Sequence, residues 1–241
     1  EGIVLTDHTR LTQWGSWEGT ITVDGEDLTV TAGSVPGTRD RSWGIRPVGE
    51  QLAVLRQPMP FQVFWLWAPL HFEDRFTHYA FHEHEDGRRW LETAQILDPL
   101  PAGASPCSRV GVRECYDIGY ELEWKPGRRE IQRAHLWFTD SIEGETHIEL
   151  ETLYTFRMRG IGYWHPHWGH GSNHGQYEIG RESIRLDDFD PTDFASLHLQ
   201  NVVKASMGER TGIGVVEQIA IGPHTPSGLT GFMDGHQKIA T

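Results

Sequence analysis

The chain almost never spaces its apolar residues by three and four; it alternates them in short runs broken by Gly, Pro, Asp or Asn. Alternation sends successive side chains to opposite faces of an extended backbone, so a chain built this way has to form sheets. Residues 16–23 (SWEGTITV) alternate and meet Asp24-Gly25, a hairpin turn signal, with residues 28–31 as the returning strand. Residues 61–68 read as a buried strand, and residues 76–84 and 89–97 flank a turn at Glu85-Asp86-Gly87. Further strands are expected at residues 116–124, 131–138, 147–156 and 177–186, and a last hairpin joins 199–207 to 213–222. Only residues 190–195 (DPTDFA) suggest a helical turn, with Pro191 at its first position. The expected class is all-β and mostly antiparallel, with little helix, arranged as a sandwich or barrel.

The 241 residues suffice for one large β domain or two smaller ones. A Pro/Gly/Ser-rich stretch at residues 98–106 (DPLPAGASP) is the best linker candidate and suggests units at 1–100 and 101–241. The net charge of −13 and the lack of a Lys/Arg-rich run argue against nucleic acid as a partner. The longest nearly apolar stretch, residues 61–70, is too short to span a bilayer, which takes about 20 residues. The first ten residues carry no signal-peptide pattern, although an initiator Met is missing too. Two cysteines, Cys107 and Cys115, make no disulfide framework, which points to free thiols and a cytoplasmic setting. Nothing in the sequence excludes a homo-oligomer.

The segment at 37–50 (GTRDRSWGIRPVGE) packs Arg39, Asp40, Arg41 and Arg46 around Trp43. Two readings stand. Asp40 could bridge arginines in a structural ion network, as buried charges require. Alternatively, Asp40 is an acid/base group and Trp43 lines a pocket, with the arginines favouring an ionised Asp40. The run Asp40, Arg41, Ser42, Trp43, Gly44 resembles the motif of the AttH-like and carotenoid 1,2-hydratase (hydroxyneurosporene synthase) group. That resemblance implies two lipocalin-like β domains and a site at Asp40 and Arg41. The hydratases usually carry His where this chain has Arg41, so proton delivery to an alkene is not carried over with the motif. The whole chain is more similar to a related bacterial family of unknown function, with RDRSWG-, GYWHPHWGHG- and GIGVVEQ-type segments. It implies that the chain begins inside the first barrel.

Three further groups carry potential chemistry. His165, His167, His170 and His174 crowd the loop YWHPHWGHGSNH, beside Tyr163 and Trp164. They suit a pocket rim or a structural turn, and His165, His167 and His170 are the weaker alternative of a metal site. His78, His82 and His84 share one strand face, and His82 is a candidate acid/base. Glu217 interrupts the apolar strand GIGVVEQIAIG, where it either pairs with Arg39 or Arg46 or acts as a proton donor of raised pKa. No nucleophile elbow, phosphate loop or dinucleotide fingerprint is present. The combination suggests a cofactor-independent hydratase, dehydratase, isomerase or cyclase for a lipophilic, terpenoid- or steroid-like molecule. Asp40, Glu217 and His82 would handle protons, and Trp43, Trp65, Trp67, Tyr163 and Trp164 would stabilise developing positive charge. The alternative is an apolar-ligand binder without chemistry.

Overall fold

The computed structural model describes residues 4, 7–45, 62–159, 165, 167–169, 172–193 and 196–235. Among them lie eleven strands: β1 (Asp7–Val23), β2 (Glu26–Ile45), β3 (Val63–Phe72), β4 (Phe76–Glu83), β5 (Arg89–Leu97), β6 (Val112–Glu114), β7 (Tyr116–Trp124), β8 (Ile131–Asp140), β9 (Gly144–Arg157), β10 (His198–Met207) and β11 (Arg210–Ile221). The class is all-β, and the only helical elements among the described residues are short 3-10 turns such as Leu186–Asp188 and Thr225–Ser227. No helix among them is long and apolar enough to cross a membrane.

Strands β3–β11 form one antiparallel sheet in the order β6-β5-β4-β3-β11-β10-β9-β8-β7. The 98–106 stretch expected as a linker connects β5 to β6 within this sheet, where Gln95 faces Glu114. The sheet curls until β5 lies against β7, so it is a nearly closed barrel. Its two edge strands, β6 and β7, are separated in sequence by Cys115 alone. Side chains bridge the seam: the Tyr79 hydroxyl donates to the Gly119 carbonyl, and Arg89 Nη1 donates to the Ile118 carbonyl at 2.6 Å.

The second sheet is the two-stranded ribbon β1–β2. Its turn is the one the Asp-Gly pair announces. Asp24 and Gly25 take φ of 52° and 84°, the left-handed pair that a two-residue hairpin needs to match strand twist. A bulge between Trp17 and Gly19 shifts the register, so that Arg10 faces Ser42 and Thr12 faces Asp40.

The barrel interior is filled. Phe64, Leu66, Leu70, Tyr79, Phe81, Ile96, Leu136, Phe138 and Ile148 pack in one buried cluster. The expected indole-lined hollow inside the sheet is therefore corrected. Phe64, Leu66, Ala68 and Leu70 of β3 fill the interior, and alternation turns Trp65 and Trp67 to the outer face. A second, smaller cluster on that face joins Leu197, Ile219 and Ile221 to Trp65, Phe232 and Met233. The strand expected at 177–186 is absent, and Tyr177 and Ile179 are 82% and 76% exposed. Alternation alone does not make a strand. β9 and β10 pair directly with each other, which leaves the intervening segment no place between them.

Candidate functional site

The ribbon lies across the outer face of β3 and β4. The Arg10 guanidinium on β1 receives Asp40 from β2 as a two-pronged ion pair, Nε–Oδ1 at 3.0 Å and Nη2–Oδ2 at 2.9 Å. The same guanidinium stands 5.6 Å from the Trp65 ring and 5.9 Å from the Trp67 ring. The indole faces assigned to a substrate cation are thus already occupied by a cation of the protein. Trp14 stacks on Phe76 and meets His78 edge-on, while Thr38 and His71 share a 2.9 Å hydrogen bond.

Beneath the ribbon, Trp67 and His78 are hydrogen-bonded in sequence. Trp67 Nε1 donates to His78 Nε2 at 2.9 Å, which leaves the proton of neutral His78 on Nδ1, where Gln95 is its partner. Burial first, and the Arg10 charge second, push His78 down to about 4. His82 lies 4.0 Å from the Trp90 ring, centre to centre, and burial likewise brings it to about 4. Trp65 Nε1 and Gln200 Nε2 donate to Glu217 at 2.8 and 2.6 Å, and His198 Nε2 lies 3.6 Å from it. Burial alone would raise the Glu217 pKa. The bonds from His198, Gln200 and Trp65 outweigh it and hold the carboxyl below the ordinary glutamate range. This corrects Glu217 as a proton donor of raised pKa, and its partners are these three residues rather than Arg39.

Beside Arg10 and His78 a groove opens between the ribbon and the 98–112 connection. One part, about 410 Å³, is lined by Arg10, Trp14, His78, Gln95 and Leu97. An adjoining part, about 310 Å³, is lined by Trp14, Phe76, Leu97, Leu100, Val110 and Val112. Trp14, Phe76, Leu97, Leu100, Val110 and Val112 give it an apolar wall, Thr12, Gln13, Asp98, Ser108 and Arg109 add polar groups along its length, and Arg10 and His78 lie at one end.

Other expected site residues lie elsewhere. Trp43 is 49% exposed, with Arg41 stacked 5.8 Å from its ring, and Arg39 Nη1 reaches Gln13 Oε1 at 3.4 Å. Arg46, Tyr163, Trp164 and His170 lie outside the described residues. In the His-rich loop, His165 bonds Glu182 at 2.9 Å, while His167 and His174 both approach Glu178, at 3.3 and 2.9 Å. Among the described residues, the loop group with cation-ligand spacing is His167, His174 and Glu178, their ligand atoms within 4.8 Å of one another; the expected set of His165, His167 and His170 includes a residue outside them.

Sequence reasoning missed Arg10 and Trp14. Arg10 sits on β1 opposite the conspicuous RDRSWG run and Trp14 faces Thr38 just before it, and extending the hairpin past Trp17 would have aligned them so but for the bulge.

The model of a family of unknown function (DUF8625) matches residues 1–230, and the chain belongs to that family. No curated protein matches the chain. Among solved structures, the chain is similar to kievitone hydratase from Nectria haematococca, at 13% identity and a TM-score of 0.43. The match covers 84% of this chain and 49% of that one, so the chain spans about half the length of the enzyme.

Proposed function

For this member of DUF8625, we propose that the groove between ribbon and barrel holds an apolar small molecule. The observation that carries this reading is the groove itself: Trp14, Phe76, Leu97 and Val112 form an apolar wall that ends at Arg10 and His78. Leu66, Leu70, Tyr79 and Ile96 fill the interior behind β3 and β4, and the groove lies on their outer face. Every ionisable group at the polar end already has a partner, which suits orientation of a ligand's polar tip.

Glu217 favours a second, catalytic reading. A carboxylate that stays ionised accepts a proton and does not deliver one. The chemistry it supports is proton abstraction, as in dehydration or double-bond shift beside a carbonyl, rather than protonation of an isolated alkene. Asp40, bound to Arg10, would position that cation.

Farnesol and a planar steroid enone are suitable probes, followed through tryptophan fluorescence. Both should quench or blue-shift the emission with saturable binding, and Leu97→Asp should weaken binding at least ~10-fold, the cost of placing a charge against an apolar ligand. Binding that is unaffected by Leu97→Asp would remove the groove. Incubation of a β-hydroxyketone in ¹⁸O-labelled water, read by mass spectrometry, separates the two readings. Label exchange lost in Glu217→Gln supports catalysis, and tight binding without exchange supports the binding protein.

A further inference from the structure

At the other side of the barrel, β4, β5, β7 and the turn after β11 border an open cavity of about 730 Å³, lined by Glu83, Arg89, Tyr120, Trp124, Pro226 and Ser227 among others. Glu83 is 2% exposed, yet it sits on the inward face of a core strand. Such a carboxylate needs partners, and it has three. Tyr120 donates its hydroxyl at 2.6 Å, Arg89 donates Nε at 2.9 Å, and His224 Nε2 lies 2.8 Å from Oε2. Burial works against its charge, but the bonds from His224, Tyr120 and Arg89 prevail and lower its pKa.

An ionised Glu83 accepts from His224 Nε2, which fixes the histidine's proton on that nitrogen. Nδ1 is then a lone pair, and Ser227 Oγ lies 2.9 Å from it. The serine hydroxyl therefore donates to Nδ1. The imidazole cannot swing away, because it stacks on Phe64 with ring centres 3.5 Å apart and planes 9° from parallel. Ser227 lies in a short turn closed by Gly228 in the left-handed conformation, at the cavity wall. A hydroxyl bonded to an imidazole, itself oriented by a buried carboxylate, is the arrangement that activates a serine, here with the two ring nitrogens in exchanged roles relative to the familiar protease order.

We propose that Ser227, His224 and Glu83 form an acyl-transfer site, whose substrate is an uncharged ester small enough for the cavity. Ser227 Oγ attacks the ester carbonyl carbon while its proton passes to His224 Nδ1, and Glu83 stabilises the imidazolium. The carbon–alkoxide bond then breaks, and the leaving oxygen takes the proton from Nδ1, giving an acyl-serine. Water repeats the sequence, releases the carboxylic acid and restores the serine. Arg89, which lines the cavity beside Glu83, is the cation nearest this chemistry. Arg89 is already paired with Glu83 and Glu92, and Glu121 adds a negative charge to the lining, which disfavours an anionic substrate.

The test uses the whole chain with a fluorophosphonate probe and with p-nitrophenyl acetate and butyrate. Peptide mass spectrometry should find the phosphonyl group on Ser227 in native protein and not in urea-unfolded protein. Ser227→Ala should lose the label with an unchanged melting temperature. His224→Gln should slow ester cleavage about 10²–10⁴-fold, the usual worth of a general base. Glu83→Gln, which frees the histidine to take the other tautomer, should shift the pH profile of labelling. A native protein that labels no faster than the unfolded one overturns the proposal. So does labelling retained in Ser227→Ala.

Discussion

His78 and His82 show what a single residue reports at this site. Both remain neutral in the folded protein down to about pH 4, whereas the unfolded chain titrates near 6.5. Between those values the unfolded chain binds more protons, so stability is complete above pH 6.5 and falls as pH drops toward 4. Urea midpoints should decrease from pH 7 to pH 5, and His82→Phe, which keeps a ring against Trp90, should make that decrease shallower. The alternation of the sequence places His78 and His82 on one strand face, because a period of two needs no knowledge of the fold. What lies against that face is not legible there. Trp65 and Trp67 alternate with Phe64, Leu66 and Ala68, and a run that is apolar from Val63 to Leu70 does not say which side is the interior. Tertiary packing decides it, and the larger indoles go outward, where the ribbon and Arg10 cover them. Ser227 and His224 are equally hidden, since their partner Glu83 is far away in the chain.

At the scale of elements, turn chemistry is the most legible signal, and the Asp24-Gly25 pair by itself defines the ribbon's tip. Residues 116–124 are expected as a strand with the bounds that β7 has. The failure at 177–186 shows the limit of local pattern, because pairing is a property of two segments. The β3–β11 contact supplies a second lesson. Pro69 brings no N–H to the ladder, and Gly214 lets β11 close against it: a Cβ on Gly214 would stand 2.4 Å from the Pro69 carbonyl oxygen. Gly214→Val should cost about 1–3 kcal/mol through this overlap, or more if the strands separate, as a thermal melt will show. Because Glu217 follows closely on the same strand, the same variant should also displace its Trp65 hydrogen bond, visible in tryptophan fluorescence.

For the whole molecule, one side chain gathers several backbone carbonyls of the C-terminal segment. Arg129, 4% exposed, donates to the Asp234 carbonyl at 2.6 Å, to Gly222 at 2.7 Å and to Gly231 at 2.8 Å, and also meets the Asp234 carboxylate at 2.7 Å. Arg129→Met should cost about 3 kcal/mol in urea denaturation, by leaving these acceptors without donors, and should expose residues 223–235 to limited proteolysis. Arg129→Lys should restore little, because an ammonium lacks the guanidinium's fork. The arrangement of the ring has a separate consequence. Its first and last strands follow each other in the chain, so the structure is a bracelet with a single clasp beside Cys115. Every other strand of the ring is gripped by backbone ladders on both flanks, whereas the clasp is fastened by the Tyr79 and Arg89 side chains and one backbone bond, from Cys115 N–H to the Ala94 carbonyl. Thermal breathing has its easiest start at that place, and deuterium should reach the amides of β7 well before those of β10.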